Sequence, residues 1–476
     1  MQNPLFLGID IGTTSLKAAV FDKNGRRIAM RSVDYQLYSD PATGFIEFDA
    51  DRYADMCFDV IESLTAECGR ITALSVDTQG ETMILADADG RPLCPAVVWL
   101  DNRAGKEADL IRERFGNRRV YEVTGQAEIS AGWPACKLLW FRNNRPDIFE
   151  KTRKIFLLED WILYRLTGNF VTEPTIQSSS IYFDITARDW WDEMLGFIGI
   201  GRDMLPRVIR PGDIAGSFRD TGVAAGALDQ IAGSIGTGVT DRGRLSEMTG
   251  TALAIVALTD GIPPYRPGSV IPCHIHAIEG KYCELLWSST AGMALKWFRN
   301  SLAPGVGFAE LDAEAAAVPP GCDGMTLLPH FCGSVMPEYV PEARASFQGV
   351  TLAHTRGHFV RAILESVAFM LKRDLEYIDV PADTGIMITG GGAAGSLWPQ
   401  IKADVTGRSL STVCESETAC LGSAIIAATA FGYFASFSEA ASSFVKIKKV
   451  FTPSGADYSE AYARYLRLNA EYLSRP

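Results

Sequence analysis

Two stretches about 240 residues apart share one pattern. The first begins Leu5-Phe6-Leu7-Gly8-Ile9, turns through Asp10-Ile11-Gly12-Thr13-Thr14-Ser15, and returns as the apolar run Ala18 to Phe21. In the second, Met248-Thr249-Gly250-Thr251-Ala252 is a glycine–threonine tip that runs on into Leu253 to Leu258. Each reads as two buried strands joined by a tight polar turn. A chain that opens both of its halves with one hairpin is constrained to a duplicated α/β arrangement. Its 476 residues exceed what one core can organise. Two domains are therefore expected, over residues 1–243 and 244–476.

The tips carry chemistry as well as a turn. Gly12 lets the backbone approach a ligand closely, and Thr13, Thr14 and Ser15 offer N–H and hydroxyl groups to phosphate oxygens. Asp10 is a hard oxygen ligand for Mg²⁺, and Lys17 adds a positive charge. An acid, a phosphate cradle and a base within eight residues fit nucleoside triphosphate chemistry. No Walker A string occurs anywhere. A third loop, Gly390-Gly391-Gly392-Ala393-Ala394-Gly395-Ser396, follows the strand-like Ile386 to Thr389, and Gly292 opens a further helix. Polar groups also cluster at other predicted strand ends, where α/β sheets place their sites. Gln79, Gly80 and Glu81 follow one strand and Asp101 and Arg103 another; the polar side chains among them could converge on a polyhydroxylated ligand. For Asp101 and Arg103 a surface ion pair is an equal alternative. Asp229 stands at the start of a small-residue helix, close to a substrate or simply as a cap.

The balance of 57 acids against 45 bases, a net charge of −12, argues against nucleic acid or an anionic membrane as a partner. Any phosphate site must be a local nest. Ten scattered cysteines without a C-x-x-C pair fit buried thiols of a reducing compartment, the cytoplasm. The N-terminus lacks the features of a signal peptide. Ala419 to Phe437, the most apolar long window, reads as a buried helix rather than a membrane span. The five histidines are expected to be structural, with His274-x-His276 as a metal site the weaker reading.

In this order the pieces resemble the FGGY carbohydrate kinase family, over essentially the whole chain. The D-x-G-T-T-S-x-K string with Gly12, Thr13, Thr14 and Lys17 is similar to the family's first phosphate loop. Gly226-Ala227-Leu228-Asp229 is similar to the G-x-x-D element whose Asp is the catalytic base. Gly250 and Thr251 lie in the likeness of a second phosphate loop. Gly391, Gly392 and Ala393, with Ser396, Trp398 and Gln400, resemble the adenosine loop. Ala345-Ser346-Phe347-Gln348-Gly349-Val350 followed by His358 to Glu365 matches the C-terminal signature. The resemblance implies two actin-like ATPase (ribonuclease H-like) domains with a cleft between them, α/β in class. It implies ATP mainly on the C-terminal half and the sugar on the N-terminal half, with Mg²⁺ near Asp10. Asp229 and Asp10 would be catalytic, and Gln79, Gly80, Glu81, Asp101, Arg103 and Asp229 would meet the sugar. Glycerol kinases carry arginine where this chain has Gly80, and its loss is expected to enlarge the pocket. Asp101-Asn102-Arg103 looks more like the N-D-x-R element of xylulokinases. A pentulose such as xylulose is the favoured substrate; a polyol or sugar acid (glycerol, erythritol, gluconate), or an actin-like ATPase with a regulatory role, stays open. The implied partner is a small sugar or polyol, and the resemblance leaves a homodimer open.

Overall fold

The computed structural model describes residues 3–474. Leu5–Ile11 (β1) and Ser15–Asp22 (β2) form the expected hairpin, with Asp10 paired opposite Lys17. Phe6, Leu7, Ile9 and Ile11 are all fully buried, as suits a strand covered on both faces. Arg27–Asp34 (β3) adds antiparallel to β2. Ala73–Thr78 (β4) lies parallel to β1, and Thr221–Leu228 (β5) parallel to β4. The order is thus β3-β2-β1-β4-β5, with Ile214–Phe218 at the edge.

Five central strands of the second half repeat this wiring. Arg244–Thr249 (β6), Leu253–Thr259 (β7) and Tyr282–Ser288 (β8) form an antiparallel meander. Gly385–Thr389 (β9) runs parallel to β6, and Leu410–Val413 (β10) parallel to β9. The order β8-β7-β6-β9-β10 mirrors the first sheet. The duplication suggested by two glycine–threonine hairpins is therefore present as two sheets of one topology.

The helices follow local signals. Ala50–Cys68 (α1) starts where Asp49 accepts from the backbone N–H groups of Asp51 and Arg52, and ends at Gly69. Leu158–Thr167 (α2) stops at Gly168, whose φ of 74° is open to glycine. A short turn of helix, Pro174–Gln177 (α3), precedes Asp229–Gly236 (α4). Gly292–Leu302 (α5), Arg356–Tyr377 (α6), Leu397–Thr406 (α7) and Thr418–Ala430 (α8) complete the set used below.

Some expectations shift. The strand expected before Asp101 and Arg103 is only Ala96–Val97, because the chain then turns into a loop built around Asp101. The stretch 104–170 is mainly helical, yet Lys154–Leu157 pairs antiparallel with Met83–Ala86. The apolar window 419–437 contains α8, which ends at Ala430. No helix among the described residues is long and apolar enough to cross a membrane.

Helix α8 belongs in space to the first sheet, although it comes late in the chain. It packs on β1, β4 and α4, and shares one core with Phe6, Ile231 and Ile235 through Leu421 and Ile425. The approach is at backbone distance. A Cβ on Gly422 would lie 1.8 Å from the Ala232 carbonyl oxygen, and one on Gly236 would lie 1.8 Å from that of Thr418. Contacts such as the Cys273 N–H donating to the Gly125 carbonyl at 2.8 Å join the two halves elsewhere.

Candidate active site

The ends of three parallel strands bring the acids of the first half together. Asp10 on β1 is paired with Asp77 on β4, and β5 ends at Leu228, one residue before Asp229. Burial raises the Asp10 carboxyl to about 6, and the charge of Lys17 opposes that rise. Burial also pushes Asp229 well above the ordinary carboxylate range, and the charges of Asp10 and Glu81 add to the effect. Three sequence-predicted residues thus share one electrostatic neighbourhood. Asp229 remains partly exposed, and one of its oxygens accepts from the Gln230 N–H at 2.7 Å. It begins α4 without taking the capping position, so the plain cap does not account for it.

Around these acids sits the first phosphate tip. The Gly12 N–H donates to the Ser15 carbonyl at 3.0 Å, closing the turn. Tyr35 donates its hydroxyl to the Gly12 carbonyl. The Thr13 hydroxyl accepts from the Trp99 indole at 3.0 Å, while Thr14 is exposed. Lys17 is not a free cation: its ammonium lies 2.7 Å from Glu417, just before α8.

The residues expected to meet a sugar separate into two groups. Gln79 is buried, donates to the Tyr53 hydroxyl at 3.2 Å and leaves its carbonyl oxygen without a partner. Glu81 follows in the left-handed region at φ 56°, an uncommon conformation for a residue with a side chain and one found at functional sites. Burial raises its carboxyl to about 7, against the hydrogen bond from Ser179 and the charge of Lys137. The Asp101 carboxylate, by contrast, is saturated, and Arg103 is committed to two acids. Arg103 donates from Nε and one terminal nitrogen to the two oxygens of Asp101, each at 2.8 Å, and also to Glu47 at 2.7 Å. The Ile46 N–H fills another position on Asp101 at 2.6 Å. Both side chains are buried, at 0% and 3% exposure, so the surface ion pair is corrected to a buried one. Its Asp101 carboxylate has no free acceptor for a sugar hydroxyl. At Gly80 a Cβ would meet the side-chain ends of Leu228 at 3.1 Å and Ser179 at 3.4 Å.

In the second half the three loops converge on one another. The Gly292 N–H donates to the Gly250 carbonyl at 3.0 Å, and the Ala291 and Met293 N–H groups donate to that of Thr251 at 3.2 and 3.1 Å. The second tip is thereby docked on the N-terminus of α5, a position that favours anions. Gly390, at φ 78°, passes so close to this hairpin that a Cβ would lie 2.5 Å from the Thr249 carbonyl oxygen. The turn Gly391–Ala393 follows, with Gly391 and Ser396 exposed. Ser396 accepts from Lys449 at 2.9 Å.

Several participants were not singled out in the sequence. Lys137, wholly buried on the helix Pro134–Asn144, donates to the Val98 carbonyl at 2.9 Å and sits beside Glu81; burial lowers its ammonium to about 8. Asp77 accepts from Ser423 of α8 at 2.6 Å through one oxygen and buries the other without a partner. Glu247, Lys402 and Thr249 form a buried cluster under the second tip, with Lys402 3.0 Å from both Glu247 oxygens. A lysine inside an apolar helix and an acid inside an apolar strand are the signals that could have found the first two. His274 and His276 are buried, held neutral by that burial with values lowered to about 3, and bonded to Gln126 and Ser234. Among the described residues no group of three or more His, Cys, Asp or Glu side chains is placed to hold a metal.

Two ribonuclease H-like sheets, each with a phosphate-type tip at a strand end, define an actin-like ATPase fold. The comparisons with known proteins agree. Residues 5–241 match the N-terminal domain of the FGGY family of carbohydrate kinases, and residues 287–431 match its C-terminal domain. This chain belongs to that family and is a carbohydrate kinase. It is 27% identical over 478 aligned positions to the xylulose kinase of Lactococcus lactis, covering 96% of this chain and 94% of that one. To the glycerol kinase of Burkholderia pseudomallei it is 30% identical, with 95% and 94% covered. It superposes on a gluconate kinase from Lactobacillus acidophilus with a TM-score of 0.92 and 25% identity, over 99% of both chains.

Proposed function

We propose that this kinase transfers the γ-phosphoryl group of ATP to a hydroxyl of a pentulose such as xylulose, with Asp229 as the base. The observation that carries the reading is the grouping of Asp229 with Asp10 and Glu81 at the ends of parallel strands. Asp229 accepts the hydroxyl proton as the oxygen attacks in line. Burial, with the charges of Asp10 and Glu81, raises its affinity for a proton above that of an ordinary carboxylate. Gln79 and Glu81 orient the sugar, the former through its unpartnered oxygen. Gly12, Thr13 and Thr14 on one side and Gly250 and Thr251 on the other hold phosphate oxygens by N–H and hydroxyl groups. Gly391, Gly392, Ala393 and Ser396 border the adenosine, and Gly292 brings the start of α5 to the phosphates. Lys17 exchanges Glu417 for phosphate charge. The donor set fits Mg²⁺: Asp10 is a hard carboxylate beside the unpartnered oxygen of Asp77. Asp10 would hold the ion, which neutralises phosphate charge when bound. Residues 1–243 form the sugar-binding unit of this reading and residues 244–476 mainly the nucleotide unit.

A second substrate class has an observation in its favour. Lys137 places a buried cation beside Glu81, which would suit the carboxylate of a sugar acid. Both readings are tested by measuring ADP release from ATP and Mg²⁺ across ketoses, aldonates and polyols. Xylulose or a related pentulose should give the highest kcat/KM. An aldonate in first place would overturn the pentulose assignment in favour of the sugar acid. Equal ADP release with every compound and with none would overturn both.

A further inference from the structure

Strand β5, which ends at the proposed base, is not regular. Its pairing with β4 slips between Ala224 and Ala227, a β-bulge just before Asp229. Bulges leave backbone N–H groups outside the sheet ladder, and a buried one must find another partner. Here side chains from α2 and α3 take one amide of the bulge and one just beyond it. The Gly226 N–H donates to Glu159 Oε1 at 2.8 Å. The Leu228 N–H donates to Thr175 Oγ1 at 2.8 Å, and that hydroxyl donates onward to Glu173 Oε1 at 2.7 Å. Glu173 also accepts from the N–H groups of Thr175 and Ile176, both at 2.6 Å. All three side chains are 0% exposed.

The two carboxyls are themselves in contact. Burial and the neighbouring charges of Glu173 and Asp160 push Glu159 well above the ordinary range. Its Oε2 is buried without a partner. The result is a relay of hydrogen bonds that ties the Gly226 amide of the bulge and the Leu228 amide just beyond it to α2 and α3.

We propose that Glu159 and the Thr175–Glu173 pair are positioning residues for Asp229, holding the bulged strand end that aims its carboxylate at the substrate hydroxyl. The proposal rests on Asp229 being the base. None of the three residues needs to touch substrate. A base misplaced by even 1 Å can cost about 10²-fold in rate, so a distortion of the bulge is expected to fall on kcat rather than on nucleotide binding.

The test compares Thr175→Val with Thr175→Ser, and Glu159→Leu with Glu159→Gln, in the full chain. The acceptor is the compound that gives the wild type its highest rate. Thr175→Val should lower kcat at least tenfold, leave KM for ATP within twofold, and speed hydrogen exchange in the peptide covering 222–232. Thr175→Ser restores the hydroxyl and should bring kcat back to within threefold. Wild-type kcat in Thr175→Val, or a Ser variant as impaired as the Val variant, would overturn the proposal. Should Thr175→Val fail to fold, the Glu159 pair decides. Glutamine keeps an oxygen for the Gly226 N–H and an N–H for Glu173, so it should retain kcat where leucine loses it; equal loss in both would refute the relay. Asp229→Asn, measured alongside, separates the two levels. Turnover surviving in that variant removes the base itself, whereas a dead Asp229→Asn beside a fully active Thr175→Val removes only the positioning role.

Discussion

Single residues in this site divide into those with spare hydrogen-bonding capacity and those without. Gln79 keeps an unpartnered oxygen, whereas the Asp101 carboxylate is filled by Arg103 and the Ile46 N–H, and Arg103 is committed to Asp101 and Glu47. Sequence spacing could not tell these cases apart, because Gln79, Glu81, Asp101 and Arg103 all follow predicted strands. What decides between them is who reaches whom across the fold: Glu47 is 56 positions from Arg103. The prediction at this scale is that Arg103→Met acts on stability. Removing one partner of a buried ion pair costs about 3 kcal/mol or more. Arg103 also stacks on Phe45, with 3.8 Å to the ring centroid. The denaturation midpoint should fall markedly while the order of preference among acceptors is retained. A reordered preference with an unchanged midpoint would return Arg103 to the ligand set.

At the scale of elements, much was legible. The hairpin tips, the helix after Asp49, the stop at Gly168 and the helix opening at Asp229 each carry a local signal that the fold obeys. What the sequence hides is the service side of α2. Glu159 and Asp160 look like ordinary acids of a first helical turn, yet both are fully buried. Asp160 accepts from the Leu157 N–H at 2.9 Å and from Gln177 at 3.0 Å, and burial raises it to about 8. The sign of the pH effect follows. The folded state keeps a proton that the unfolded chain gives up above its ordinary value near 4, so the contribution is full below that value and is lost as pH rises through about 8. Glu173 and Asp374, each raised to about 7, act in the same sense. Thermal stability should therefore fall as pH rises from about 4 to about 8 and level off above that. Asp160→Asn, which resembles the protonated acid, should flatten that fall by up to about 1.4 kcal/mol per pH unit. An unaltered slope in the variant would show that Asp160 is ionised in the fold.

The whole molecule is one topology used twice and then stitched by α8. The repeat was visible in two glycine–threonine tips. The return of α8 to the first sheet was not, since an apolar, small-residue helix carries no address. Its seam at Gly422 and Gly236 lies against the helix that Asp229 begins, and Ser423 beside it reaches Asp77. A methyl group at Gly422 has no room, so Gly422→Ala should destabilise by at least about 2 kcal/mol, read from chemical denaturation. A neutral result would mean that the two helices can separate freely. The proposed function turns on the Asp229 carboxylate, and the most direct measurement is single-turnover phosphoryl transfer by Asp229→Asn with the preferred acceptor, beside ATP binding by titration. The rate should fall by about 10²- to 10⁴-fold with ATP affinity and thermal midpoint close to wild type. Phosphoryl transfer at the wild-type rate in that variant would contradict the assignment of Asp229 as the base.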